Sequence, residues 1–195
     1  MFIEVLVIGI GSLVALFGVG AAVAGYDTIS KAAPIAGSTP AAGAAIAFAY
    51  ALGILIDRCA DILLTFKRRS LRARYFSSNS SYAAARRSVS RYPDLVARAD
   101  YARSRMRICR GWFLNSILLS ISIDLVLIRF PTQGRPALIA VATMLGLLTA
   151  AGFYIAWGSI TVTGYKKLHQ QAQSAETSVP SQQDGAPEGT AAAHS

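Results

Sequence analysis

Histidine and cysteine, which supply many catalytic bases, nucleophiles and zinc ligands, are scarce in this chain. Its 195 residues include two of each, and both histidines, His169 and His194, lie in the last 30 residues. They have no partners at ligand spacing, so the sequence gives almost no support to a zinc site or to a Ser/His/Asp or Cys/His set. A Walker-type glycine loop is also missing. We therefore expect a protein that is not an enzyme and needs no cofactor.

Charged residues are also few, 15% of the chain against 53% hydrophobic residues. The apolar residues form four runs, 2–24, 41–66, 112–129 and 136–160, and about 20 residues suffice to cross a hydrocarbon core. The predicted fold class is all-α, an integral membrane bundle of four transmembrane helices. A cleaved signal peptide is the alternative for the first run, since Ala22-Val23-Ala24 resembles a cleavage site. Against it, early basic residues are missing and the run is about twice the usual length.

The basic residues are concentrated between the second and third runs. The segment 67–110 holds 13 of the 19 lysines and arginines, opposed only by Asp94 and Asp100. Loops rich in Lys and Arg stay in the cytoplasm, so with four spans both termini are predicted to be cytoplasmic. The heavy use of Ala and Arg, with short loops, points to a bacterial inner membrane. Both cysteines then lie on the reducing side, and no disulfide is expected.

The segment 67–110 is predicted to be a helical cytoplasmic loop. Pro93 suits the first position of a helix, and no further proline interrupts the pattern that leads through Gly111 into the third run. Ser77 to Ser81 is predicted to form a turn, and Tyr82 to Val89 a short helix. In contrast, 166–195 is predicted to be a disordered cytoplasmic tail, because most of it is Gln, Ser, Ala, Pro and Gly.

The arginines of this loop are the candidate contacts for a partner. The partners considered are anionic lipid headgroups and an acidic protein, while nucleic acid is unlikely because no recognised module is present. Positive charge that merely fixes the topology is the simplest alternative. The arginines proposed to make these contacts are Arg98, Arg103, Arg105, Arg107 and Arg110.

Three charges interrupt the second run, in the sequence Asp57-Arg58-Cys59-Ala60-Asp61. Charges at bilayer depth cost roughly 2.5–3.5 kcal/mol each, so they normally face protein or water and are paired. Small residues recur every four positions before Asp57 and Asp61, which predicts a buried stripe ending in two carboxylates. Arg58 is expected to pair with these or with Asp124 on the third span. The predicted intramembrane polar cluster comprises Asp57, Arg58, Asp61, Asn115, Ser120 and Asp124, with Asn115 and Ser120 bonding the second-span carboxylates.

This polar cluster has two interpretations. As a clamp between spans, it fits a non-enzymatic scaffold, sensor or accessory subunit whose basic loop contacts a partner. Alternatively, Asp57 and Asp61 would line an ion or proton pathway in an oligomer. A homo-oligomer is possible through the glycines of the first span, which could equally pack within the monomer. A metal-dependent lipid phosphotransferase is the low-ranked enzymatic alternative.

Overall fold

The computed structural model describes residues 2–25 and 38–177, together with positions 28, 30, 31 and 34. Residues 2–25 and 38–177 contain five helices and no strand, which confirms the all-α prediction. They are α1 (Phe2–Ala24), α2 (Thr39–Ala73), α3 (Asn79–Val89), α4 (Pro93–Arg129) and α5 (Arg135–Thr177). Four of them, all except α3, are long and apolar enough to cross a membrane.

The helix starts follow from local sequence. Ser38 caps α2 by accepting a hydrogen bond from the Ala41 amide, and Pro40 lies in the first turn. A reciprocal capping box between Ser78 and Ser81 begins α3 within the predicted turn. Pro93 begins α4, which continues unbroken through Gly111 as the sequence predicts. The part of the basic loop from Pro93 onward and the third apolar run are therefore one helix.

Helices α1 and α4 form the central pair and run parallel. Ile8 lies against Gly111, and Gly18 lies against Ser122. Residue numbers therefore increase in the same direction along both helices. On its other side α4 packs antiparallel to α5, where Trp112 stacks on Phe153 at a ring-centroid distance of 6.0 Å. Helix α2 packs on α1 and meets α4 over a smaller area. The outer helices α2 and α5 thus present large apolar side chains on the surface.

The predicted small-residue stripe of α2 is its buried face, and α1 covers it. A Cβ atom placed on Gly53 would lie 1.9 Å from the Val5 carbonyl oxygen, and one on Gly9 would lie 1.6 Å from the Ala49 carbonyl oxygen. The backbones of α1 and α2 can approach this closely only because Gly9 and Gly53 have no side chain, as at small-residue contacts between membrane helices. Of the first-span glycines, Gly9, Gly11 and Gly18 pack against this chain, whereas Gly20 faces open space.

Helix α5 extends into the segment that was predicted to be disordered. Residues 166–177 are helical, whereas 178–195 of the predicted tail lie outside the described residues. The prediction is wrong for 166–177 because a neighbouring segment covers this part of α5. Phe76, Ala85 and Ala172 form a buried cluster, and the Phe76 ring lies 5.6 Å from the His169 ring. Because most residues of this segment are polar, its composition does not indicate that one side of the helix, at Ala172, is packed.

We call the assembly of residues 67–110 and 161–177 the basic head. Its core is aromatic: Phe76 meets Tyr82 and Tyr165 edge to face, with ring centroids 5.2 and 6.5 Å apart, and Tyr82 lies 6.0 Å from Tyr165. Such pairs add about 0.5–1.5 kcal/mol each beyond the area that they bury. The short helix α3 is thereby fixed to the end of α5 instead of lying free between α2 and α4.

The stability of the basic head should fall in alkali through Tyr165. Burial raises the pKa of its hydroxyl, Tyr82 raises it further, and Arg68 and Arg72 act weakly in the opposite direction. The stabilisation is complete below the ordinary value of about 10 and is lost as the pH rises through the raised pKa, because the unfolded chain ionises first. We expect Tyr165→Phe to lose less stability than the parent above pH ~10 in near-UV circular dichroism melts. The exposed Tyr101→Phe is the control; equal alkaline losses in Tyr165→Phe and the parent would contradict the assignment.

Candidate functional site

A cluster of four charges joins α2 to α4. Arg110 of α4 grips Asp57 in a bidentate pair, with Nε donating to Oδ1 at 2.8 Å and Nη2 donating to Oδ2 at 2.9 Å. Its Nη1 also donates to Asp61 Oδ1. Only 14% of the Arg110 side chain and 12% of the Asp57 side chain are exposed. The second cation is Arg68, whose Nη1 donates to Asp61 Oδ1 at 2.7 Å. We call these four residues the ion-pair cluster.

Helical spacing explains three members of the ion-pair cluster. Asp57, Asp61 and Arg68 are four and seven residues apart, so they share one face of α2. Arg110 is the last arginine before the apolar run of α4 that starts at Trp112. Two carboxylates and two guanidinium groups make the cluster formally neutral. The clamp interpretation thus has a direct structural basis between α2 and α4, with Arg110 as its central residue.

The prediction that Arg58 neutralises the carboxylates is wrong. Arg58 is exposed, and it forms no ion pair with any described residue. Adjacent residues on a helix lie about 100° apart, so Arg58 points away from the side that Asp57 presents to α4. Arg110 in turn was predicted as a contact for a lipid or partner, whereas its guanidinium is committed within the chain. The only sequence feature that could have indicated this pairing is that Arg110 is the arginine of the loop nearest to the third apolar run.

Asn115 and Ser120 were predicted to bond the α2 carboxylates, but their contacts lie on α1 and α5 instead. Asn115 is fully buried, donates to the Ile8 carbonyl at 2.7 Å and accepts from the Ser12 hydroxyl at 2.7 Å. It therefore links α4 to α1, and Ser12 belongs to this site although no sequence pattern indicated it. Ser120 lies against Gly146 of α5. The two residues therefore pack α4 against α1 and α5, and not against α2.

Asp124 is likewise separate from the ion-pair cluster. Its Oδ2 accepts a hydrogen bond from Thr143 of α5 at 2.8 Å, and its Oδ1 is buried without a hydrogen-bond partner among the described residues. The expected contact with Arg58 is absent from this part of the chain, since Asp124 faces α5 whereas Arg58 lies on the outside of α2. The predicted polar cluster thus divides into three separate sites on different helix pairs.

The remaining predicted partner arginines lie on the part of α4 before its apolar run. Arg98, Arg103 and Arg105 are exposed, while Arg107 is half-buried. Arg103 pairs with Asp100 at 2.8 Å, and Arg105 lies over the Tyr101 ring at 5.7 Å. Five further arginines of the segment 67–110 are exposed and absent from the predicted set: Arg69, Arg74, Arg86, Arg87 and Arg91. Of these, Arg86 and Arg87 lie on α3, the short helix that the sequence predicts over 82–89, and Arg91 follows it.

Metal-ligating and thiol side chains are dispersed among the described residues. Within residues 2–25 and 38–177, no three His, Cys, Asp or Glu side chains gather as a metal site. Cys59 and Cys109 are both free thiols.

The fold and the sites define an all-helical protein with four helices able to cross a membrane and a network of polar contacts between them. No protein-family model matches the chain, and the comparisons with curated proteins and with solved structures find no significant match.

Proposed function

We propose that this chain is a non-enzymatic, multi-pass protein of the cell membrane that serves as a scaffold or accessory subunit, with both termini in the cytoplasm. Its basic head would dock an acidic protein partner. One observation carries the proposal: the head is a folded unit whose outward arginines have few acidic neighbours. Residues 67–110 contain 13 basic residues and two acids, and Asp100 is already paired with Arg103.

Helix α3 supports this docking function because its two faces differ. Ala85 and Val89 are buried, and Ala85 contacts the aromatic core through Phe76. The next residues, Arg86 and Arg87, are exposed. A helix that is held rigidly by its apolar face presents its arginines with less loss of conformational freedom on binding than a mobile loop would. The head is therefore suited to recognise a partner and not only to set topology.

The distance from the bilayer favours a protein partner over lipid headgroups. Ala85 clusters with Ala172, which lies 12 residues past the end of the apolar run at Ile160, or about 18 Å along the axis of α5. The attraction of anionic lipids falls off within a Debye length of about 8 Å. With the span ending at Ile160, the arginines of α3 would lie beyond most of the range of lipid charge, whereas those close to the apolar runs would remain within it.

The ion or proton pathway is the weaker candidate. Asp57 and Asp61 are its proposed lining, yet both carboxylates are bonded to Arg110, and Asp61 is also bonded to Arg68. A cation or proton would have to compete with two guanidinium groups that already neutralise the site. The same contacts suit a clamp that holds α2 and α4 in register.

The docking proposal predicts that the arginines around α3 control the binding of acidic peptides. The experiment uses the full chain in nanodiscs of phosphatidylcholine, with a labelled poly-glutamate peptide as the probe and fluorescence anisotropy as the readout. Changing Arg86, Arg87 and Arg91 together to Gln should weaken binding roughly tenfold or more and reduce its salt dependence.

The matched control changes three cations outside the head, Lys31, Arg129 and Arg135, to Gln and alters the net charge equally. Equal loss of affinity in the two triple variants would contradict docking on the head. If the peptide does not bind, and anionic nanodiscs instead protect the α3 amides from hydrogen exchange, the occupant is lipid and not a protein.

A further inference from the structure

Arg58 is a cation on an otherwise apolar outer face of α2. Leu55 and Ile62, three residues before it and four after it, are 58% and 74% exposed. These spacings place the three side chains next to each other on one face of the helix. Exposed apolar residues continue past Arg58 as far as Phe66, which is 82% exposed. Arg58 therefore lies within the apolar band of α2 and not at its end.

Among the residues that the structure describes, none supplies a counter-charge for Arg58. Asp57 and Asp61, the acids closest in sequence, are already paired with Arg110 and Arg68. No described residue forms a hydrogen bond or an ion pair with the Arg58 guanidinium. An unpaired guanidinium group within an apolar band favours binding of an anion from outside the described part of the chain.

We propose that Arg58 is the centre of a binding site for one anionic phospholipid, with the lipid phosphate paired to the guanidinium. The planar fork of arginine binds phosphate oxygens in a bidentate manner, and its long stem lets the charge rise toward the headgroups. An acyl chain would lie along the exposed Leu55. A lipid without a headgroup amine is favoured, because its phosphate charge is not offset within the same molecule.

The position of Arg58 distinguishes this site from general attraction to a basic surface. Arginines at the end of an apolar run reach the headgroup layer unaided, whereas Arg58 has exposed apolar side chains on both sides along the helix. A phosphate must therefore be drawn to it, which favours one retained lipid over a diffuse layer. The inference rests on the membrane insertion in the proposed function but not on the partner of the basic head.

Native mass spectrometry of the full chain, with phosphatidylglycerol added to detergent, tests the site. The parent should retain one phosphatidylglycerol, and Arg58→Gln should retain it roughly tenfold less. Arg58→Lys should recover part of the binding, because it keeps the charge but not the fork. The control is Arg86→Gln, which removes an exposed arginine from the basic head.

Equal retention in Arg58→Gln and Arg86→Gln would overturn the site. Displacement of the lipid by millimolar inorganic phosphate would overturn it as well, because the ligand would then be a free anion. Membrane integration is checked separately by washing membranes with alkaline carbonate. Release of the parent chain there contradicts the membrane function itself, whereas retained chain with unchanged lipid binding in Arg58→Gln contradicts only the lipid site.

Discussion

Changing Arg110 to Gln should destabilise the protein by about 3–5 kcal/mol, the cost usual for removing one partner of a buried ion pair. Asp57 would lose a bidentate partner while its side chain stays 12% exposed, and Asp61 would keep only Arg68. An uncompensated carboxylate between α2 and α4 is the physical reason for the loss. Unfolding in mixed micelles with increasing dodecyl sulfate, followed by far-UV circular dichroism, measures the effect.

Two further variants isolate the charge effect of Arg110. Arg103→Gln removes an exposed pair with Asp100, whose partners are 50% and 60% exposed, and should cost no more than about 1 kcal/mol. Adding Asp57→Asn and Asp61→Asn to Arg110→Gln removes the stranded charges and should restore much of the stability. A clamp is disproved if Arg110→Gln unfolds at the same dodecyl sulfate fraction as Arg103→Gln.

Changing Gly53 to Val should separate α1 from α2 and abolish a stable fold. Even the Cβ atom would lie 1.9 Å from the Val5 carbonyl oxygen and 2.8 Å from its carbon, and a backbone atom cannot move aside as a flexible side chain can. Overpacking by a methylene usually costs about 1–3 kcal/mol, and a branched side chain against backbone should exceed that range. The yield of monodisperse protein and its melting temperature in detergent are the measurements.

Gly43 provides the control on the same helix, because a Cβ atom there would meet nothing within 4 Å. Gly43→Ala should leave stability unchanged or raise it by up to about 1 kcal/mol, since alanine favours the helix. The milder Gly53→Ala variant keeps the comparison informative if the valine variant cannot be purified. Similar melting temperatures for Gly53→Ala and Gly43→Ala would show that the two helices do not cross at this glycine.

The sequence predicted local features correctly because each depends on residues close together in the chain. Pro93 and the Ser78–Ser81 pair fix helix starts by backbone chemistry, whatever lies nearby. The four-residue spacing that ends in Asp57 identifies the buried face of α2, since helical periodicity is an internal property of the helix. Length and apolarity likewise define four helices that can cross a membrane.

The tail shows where local information is insufficient. Residues 166–177 carry little apolar surface of their own, so their composition predicted disorder. They are helical in the structure because Phe76 and Ala85, from distant parts of the chain, cover one line of α5. A helix that is marginal alone becomes stable when a neighbour packs on one face, and no window of local sequence contains that neighbour.

The ion-pair cluster shows most clearly which features follow from local sequence and which depend on the packing of distant segments. Helical periodicity alone places two carboxylates four residues apart on the packed face of α2, where they require cations. The cations that pair with them depend on how the helices pack: they are Arg110 from α4 and Arg68 from a later turn of α2, and not the adjacent Arg58. The reason is geometric. Neighbours in a helical sequence point in different directions, whereas the packing of α4 brings a residue 53 positions away into contact with Asp57.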